Sequence, residues 1–421
     1  MKRQNSPNPM LTESTPTHHF IESQDGLQKL IEKINVHKLA GFDLEFIPEK
    51  TYFPELCLIQ VCVAEEIFLV DPYSFDQASL NLIWQTICDP EIKCLFHCAE
   101  QDLEIIARLS NGAPKNIFDT QIAAAFAGLG FSIGLKKLVM EMLGVQLTKA
   151  ECFSNWSQRP LSPEQIRYAV ADVEHLQSLC DKLNQKLESM GRIEWASEEF
   201  DTSASKASNY GYRRNLDICR VKGANRLDRK ELAVLQELLA WRDQEAQRLN
   251  KPLRSILSDQ GLLEIATRRA SDPKMLKNLR GIRDDQLKRY ETHILAACQK
   301  GLALPSSQWP TWPEARPPSE KQLLVGDFLY VILKQMAVSI NLPVEYIANR
   351  DEVQHFIRCY QEGNLEKPTL KKPRLMEGWR FELAGEKLMK ILAGEKLIAG
   401  VTPDPDERNE LILSLEMLDR S

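Results

Sequence analysis

Asp43 and Glu45 stand in an apolar run, FDLEF, with Leu44 between them. Side chains alternate across a strand, so both carboxylates share one face and Leu44 takes the other. Two carboxylates on the core side of a strand repel each other and lose hydration unless a cation holds them. Taken alone, the pair reads more simply as an outward-facing acidic pair at a strand end. Three further acids shift that balance. Asp102 lies one turn into the helix after the strand that ends at His97, and Asp119 ends an apolar run and opens a helix. Asp172 stands four residues after Tyr168, which puts the two on one helix face. Acids presented from a strand, from helix starts and from a late helix can converge in one pocket. Hard oxygen ligands without cysteine suit Mg²⁺ or Mn²⁺. Two such ions about 3.5–4 Å apart clamp a phosphodiester for in-line displacement.

The elements that must position these groups come in a definite order. Residues 39–46 and 56–63 are short apolar runs, and 67–71 follows a turn-like Glu65-Glu66. Strands this close predict an antiparallel meander. Helix patterns at 76–88 and 99–110, a strand at 92–97 and a strand-to-helix passage at 115–127 predict an α/β unit with a sheet of mixed direction. Ser162-Pro163-Glu164-Gln165 is a capping box with Pro at the first helical position. The helix it opens is expected to carry Tyr168 and Asp172 and to run to about Leu187. Residues 201–215, small and polar, read as a linker or surface crossing. From 228 to 300 every signal is helical, with breaks at Lys251-Pro252, Asp272-Pro273 and Gly281. Residues 303–318 hold five Pro and two Trp, a second linker, and 319–400 are helical again. The expected division is a tail at 1–19, an α/β domain at 20–200, a linker at 201–227, a helical domain at 228–302, a Pro-rich linker at 303–318, a second helical domain at 319–400 and a tail at 401–421.

Composition narrows the setting. The 421 residues are 43% hydrophobic and 27% charged, which excludes a mainly disordered, collagen-like or coiled-coil chain. No uninterrupted run of 18 apolar residues occurs, so no membrane helix is expected. The N-terminus lacks the apolar core of a signal peptide. The ten Cys are scattered without a CxxC pair, as reduced thiols in a cytoplasmic protein would be. The net charge is −6, but residues 213–300 hold 20 Lys+Arg against 12 Asp+Glu. That local +8 leaves −14 for the remainder. The basic stretch reads either as a footprint for a polyanion or as a solvated helical surface.

FDLEF, FHCAEQDL, IFDTQIAAAF and YAVAD resemble the exonuclease motifs of the DEDD 3′→5′ exonucleases, tyrosine subtype. TYFPELCLIQV and NWSQRPLSPEQIRYAVADV are similar to ribonuclease D, and LLAWRDQEAQRLNKPLRSILSDQGLLEIA resembles an HRDC (helicase and RNase D C-terminal) module. LMEGWRFELAGEKL is similar to the last helix of that family, so the resemblance spans roughly 20–400. It implies an α/β ribonuclease H-like exonuclease domain followed by two all-α HRDC-type helical domains. It also implies hydrolysis from an RNA 3′ end with release of nucleoside 5′-monophosphates, two divalent ions (Mg²⁺ or Mn²⁺), and precursor tRNA as substrate. No obligatory protein partner is implied.

Carried over residue by residue, Asp43, Glu45, Asp102 and Asp172 match the metal-holding acids, and Tyr168 matches the tyrosine that orients the attacking water. Asp119 matches an acid beside the site, where a helix-cap role explains it about as well. His97 borders the site and reads as a hydrogen-bonded strand-end histidine before a catalytic one. Arg213, Arg214, Arg280 and Arg283 are candidate RNA contacts, beside a reading in which Tyr210, Tyr212 and the Arg pair pack the linker. Leu44 replaces the small polar residue many relatives have between the first two acids. Arg283 stands where a second small residue is common in HRDC turns. Two rivals remain open at this point: a DNA exonuclease of the same chemistry, and a catalytically silent RNA-binding scaffold.

Overall fold

The computed structural model describes residues 17–48, 50–110, 112–147, 155–277, 279–312, 318–365, 372–403 and 411–417, without the side chains of 208–214, 403, 411, 412, 415 and 417. Six strands make the first sheet: β1 (His18–Ile21), β2 (Leu39–Ile47), β3 (Glu55–Val63), β4 (Glu66–Val70), β5 (Lys93–Phe96) and β6 (Ile117–Asp119). Their order is β1-β4-β3-β2-β5-β6. The meander β2-β3-β4 is antiparallel, as expected. β1, β5 and β6 join it in parallel with β4, β2 and β5. The register places Asp43 directly opposite Gln60, and the β2–β3 pairing slips between Glu45 and Phe46. A slip of this kind bends a strand and re-aims the side chains beside it.

Both faces of the sheet are covered. Phe42, Leu44, Ile59 and Val61 point into a core closed by α1 (Gln24–His37), α2 (Gln77–Cys88) and α3 (Glu100–Ser110). The opposite face carries Leu58 and Cys62 and meets α4 (Thr120–Phe126), α5 (Leu135–Leu143), α6 (Pro163–Glu174) and α7 (Leu176–Ser189). α6 lies across β2, β3 and β4. A Cβ at Gly41 would stand 3.0 Å from Leu176 Cδ1, so glycine there lets α7 close on the sheet.

The structure departs from expectation in three places. The helix expected from Ser162 to Leu187 is two helices that meet at His175. The capping box at Ser162 and Gln165 is present. The linker expected at 201–215 is mostly the second half of α8 (Ile193–Arg213). Its small residues serve close packing: Ala204 and Ala207 are buried against the core that α3 helps close. Residues 397–417, expected as the end of a helix and a tail, contain β7 (Leu397–Pro403) and β8 (Leu411–Met417), paired antiparallel.

The two helical regions pack differently. α9 (Arg229–Leu249), α10 (Leu253–Ile256), α11 (Asp259–Arg268), α12 (Pro273–Leu276) and α13 (Asp284–Ala303) enclose a core of their own. Trp312 of the Pro-rich stretch packs against it, and Trp309 Nε1 donates to Leu304 O at 2.8 Å. α14 (Glu320–Ser339), α15 (Val344–Ile347), α16 (Arg350–Gln361), α17 (Gly378–Arg380), a π-turn at Phe381–Gly385 and α18 (Glu386–Leu392) share one continuous core with the α/β domain. Trp379 stacks on Trp195 with ring centroids 5.0 Å apart and meets Phe126 edge-on at 5.4 Å. Arg380 and Arg374 reach back to the buried Glu199 of α8 at 2.5 and 3.1 Å. Among the described residues, α14 is the one helix long and apolar enough to cross a membrane by length and composition. Its inner residues Leu329, Ile332 and Leu333 lie in the shared core.

Candidate functional site

Asp43 and Glu45 point to the same face of β2, where α6 brings Asp172 down onto the sheet. One carboxylate oxygen from each of Asp43, Glu45 and Asp172 lies within 4.8 Å of the other two. Asp102, in the first turn of α3, is buried beside this triad without joining it at that distance. Asp102 still raises the pKa of Asp43 and Glu45 by its charge. The four acids assigned from sequence therefore converge, three tightly and one alongside.

Such crowding has an electrostatic signature. Burial, then the charges of Asp102, Asp172 and Glu45, push Asp43 well above the usual carboxylate range. Burial and the charges of Asp172 and Asp102 raise Glu45 to about 8. Burial and the charges of Asp119 and Asp172 raise Asp102 to about 8, and burial raises Asp172 to about 7. The Tyr168 hydroxyl hydrogen-bonds Asp172 and pulls it the other way. Four acids that cannot all ionise alone are a site asking for positive charge. The donor set is all carboxylate oxygen, which fits a hard divalent cation.

Supporting groups explain the precision. Asp119 caps α4 by accepting from Gln121 N at 2.8 Å and Ile122 N at 3.4 Å. The same carboxylate accepts from Cys98 N at 3.1 Å and Ala99 N at 2.8 Å, at the start of the helix that carries Asp102. It ties two helix starts together behind the site. His97 Nδ1 lies 2.9 Å from Thr120 Oγ1, whose hydroxyl donates to Phe96 O at 3.0 Å. With that hydroxyl proton committed, the ring nitrogen must be the donor. Burial lowers the His97 pKa, which favours the neutral ring.

Residues 18–188 match the family model for 3′-5′ exonuclease domains, and residues 231–298 match the HRDC domain. Ribonuclease D of Gluconacetobacter diazotrophicus is 32% identical over 387 residues, which covers 91% of this chain and 95% of that one. Ribonuclease D of Desulfotalea psychrophila is 35% identical over 365 residues, covering 86% and 96%. The chain belongs to the ribonuclease D family. The crystal structure of Escherichia coli RNase D, an exoribonuclease involved in structured RNA processing, matches with a TM-score of 0.78 at 27% identity. That match covers 90% of this chain and 99% of that one. The protein is thus a 3′→5′ exoribonuclease with an α/β exonuclease domain and a helical HRDC domain.

Around this site the structure adds groups that the motifs do not point to. Gln60 is fully buried and donates through Nε2 to Asp43 Oδ2 at 3.1 Å. Its amide also lowers Glu45. A single amide in the otherwise apolar LCLIQVCV was the available signal. Trp156 sets its ring 5.9 Å from that of Tyr168. Tyr52 and Phe53, in the TYFPELCLIQV stretch, bridge to the HRDC domain: Tyr52 Oη donates to Asp243 Oδ1 at 2.6 Å, and Phe53 N donates to Asn250 Oδ1 at 3.1 Å. The side chains of Tyr210, Tyr212, Arg213 and Arg214 lie outside the described residues. Arg280 is exposed in the HRDC turn, where Gly281 takes φ +84° with its carbonyl accepting from Ser258 Oγ at 2.9 Å. Arg283 pairs with Asp285 at 3.1 Å in the turn that opens α13.

Proposed function

We propose that this enzyme removes nucleotides one at a time from the 3′ end of RNA with divalent metal ions, and that structured RNA such as 3′-extended precursor tRNA is its substrate. The observation that carries the reading is the triad of Asp43, Glu45 and Asp172 oxygens within 4.8 Å, with Tyr168 one helical turn from Asp172. Asp43, Glu45 and Asp172 would hold Mg²⁺ or Mn²⁺, with Asp102 alongside. Bound ions supply Lewis-acid stabilisation of phosphate charge and a lowered pKa for water.

The protein's own part is positioning. The Tyr168 hydroxyl, placed beside Asp172, hydrogen-bonds the attacking water and aims it in line with the scissile bond. Water oxygen bonds to phosphorus, the bond from phosphorus to the 3′ oxygen breaks, and that oxygen takes up a proton. The products are a nucleoside 5′-monophosphate and a chain shorter by one. Gln60 holds Asp43, and Asp119 holds the helix of Asp102, so the carboxylates meet the substrate already oriented.

The test is incubation with 3′-extended tRNA, matched single-stranded RNA and matched DNA, with EDTA, Mg²⁺ or Mn²⁺, and products resolved to the nucleotide. The reading expects 5′-monophosphates from RNA only with metal. Equal turnover of DNA would move the assignment to a nuclease without sugar preference. RNA binding without cleavage under every metal would leave a scaffold.

A further inference from the structure

The strand that enters the acidic site must leave it somewhere, and the chain is acidic outside residues 213–300. One concavity on the molecule has the opposite sign. A recess of about 420 Å³ opens where the loop after β2 meets the HRDC domain, and Lys50, Lys251, Arg283 and Arg289 line it. We propose that this recess binds the phosphodiester backbone of the RNA, several nucleotides 5′ of the bond being cut. The proposal rests on the exoribonuclease reading and adds a second place of contact to it.

The residues that line the recess argue for a polyanion. One acid, Asp285, shares it with the four cations, and Arg283 already engages that acid. The Arg283–Asp285 pair is exposed on both sides, so it contributes little and leaves the guanidinium able to take a phosphate. Among the described residues, no carboxylate lies within ion-pair distance of Lys50, Lys251 or Arg289. Like charges gathered around a concavity repel unless an anion enters.

The recess is also built rather than accidental. Gln286, buried in its floor, donates to Ser255 O at 3.2 Å and accepts from Arg283 N at 3.1 Å. Across the seam, Phe53 N is held by Asn250 and the Tyr52 hydroxyl by Asp243. These bonds fix the loop that carries Lys50 next to the end of α9, where Lys251 follows Asn250.

A second concavity borders the same loop. It is a cleft of about 590 Å³, lined in part by Phe46, Phe53, Gln101 and Arg108, and Phe46 and Gln101 are the chain neighbours of Glu45 and Asp102. The Arg108 guanidinium sits 4.7 Å from the Phe53 ring centroid. Aromatic faces and guanidinium planes suit bases and phosphates of a single strand. Lys50 is five residues from Glu45, which bounds their Cα separation at about 18 Å. At about 3.4 Å per stacked nucleotide that bound is about five nucleotides or fewer.

The test uses the full chain with Mg²⁺ or Mn²⁺ and two single-stranded RNAs, a trinucleotide and one of about twelve nucleotides. The double substitution Lys50→Glu with Lys251→Glu should lower kcat/KM on the longer RNA at least about tenfold relative to the trinucleotide, through KM. The salt dependence of binding should flatten by about 0.7 in log–log slope for each phosphate that is no longer neutralised. The pair Lys29→Glu with Lys182→Glu, on α1 and α7, makes the same change in net charge as a control. Lys50→Gln with Lys251→Gln repeats the measurement without new negative charge, should the first pair disturb folding. A length ratio and salt slope no different from the control overturn the recess while leaving the active site intact. Failure of the unsubstituted enzyme to cleave either RNA overturns the underlying reading instead.

Discussion

Tyr52, in the loop after the first pair of acids, donates its hydroxyl to Asp243 of the HRDC domain at 2.6 Å. Asn215 and Gln247 complete the cluster, donating to the same hydroxyl at 3.0 and 3.2 Å and to the Asp243 carboxylate at 3.0 and 2.6 Å. A wall of the cleft beside the active site is thereby fastened to a domain that contributes none of the acids. Tyr52→Phe keeps the ring and deletes the donor to a buried carboxylate. Hydrogen bonds to charged groups contribute about 1.5–3 kcal/mol, so denaturant unfolding should show a loss of that order. An unchanged midpoint would mean that Asn215 and Gln247 satisfy Asp243 unaided.

Asp43→Ala and Asp172→Ala should each abolish hydrolysis and leave the fold intact. In the metal-free protein Asp172→Ala removes a charge that raises Asp43 and Glu45, so its melting temperature should hold or rise. Near-normal turnover by either variant with divalent metal present would sink the proposed metal site.

Tyr168→Phe separates aiming from binding. If the hydroxyl orients water in the transition state, kcat should fall about 10²–10⁴-fold with little change in KM. Asp172 should also titrate higher, because the deleted hydroxyl is the group that pulls its pKa down. A loss confined to KM would show substrate binding instead.

Stability without metal should fall as pH rises. Asp172 titrates near 7 and Glu45 and Asp102 near 8 in the fold, above about 4 in an unfolded chain. The folded protein binds more protons across that interval, so stability present at low pH is lost as the pH climbs through about 4 to 8. Thermal melts in EDTA should show this decline. Asp172→Asn should make it shallower, and Mg²⁺ should reverse it at the alkaline end. A wild-type decline no steeper than that of Asp172→Asn would contradict the crowding.

A chain cut after Glu199 keeps every proposed catalytic residue, yet it should not fold as a stable unit. Trp379, Phe356, Leu329 and Leu333 belong to the core that also holds Phe126, Leu183 and Ala196. Arg192, which donates to Ile340 O, would lose that acceptor, and Glu199 would lose Arg374 and Arg380. Each large buried side chain stripped of its packing costs about 3–5 kcal/mol, against a total stability of about 5–15 kcal/mol. A cooperative melt of the fragment, followed by calorimetry, would show that the α/β domain stands alone.

Much of this was legible along the chain. The alternation around Asp43, Leu44 and Glu45, the capping box at Ser162 and the four-residue step from Tyr168 to Asp172 are local patterns, and local backbone geometry alone decides which face such residues share. The antiparallel meander followed from short connections for the same reason. Other features depend on residues distant in sequence, and no local period encodes those. Gln60 matters because strand register sets it opposite Asp43. Residues 201–213 have a linker's composition, yet they are helical, and the small Ala204 and Ala207 let that helix close on α3. Asp119 shows both halves at once. Its place before a helix announced a cap, but only folding brought Cys98 N and Ala99 N to the same carboxylate. The motifs could name the acids. That three of their oxygens stand within 4.8 Å, and that Tyr52 is latched to Asp243 from another domain, is the work of tertiary packing.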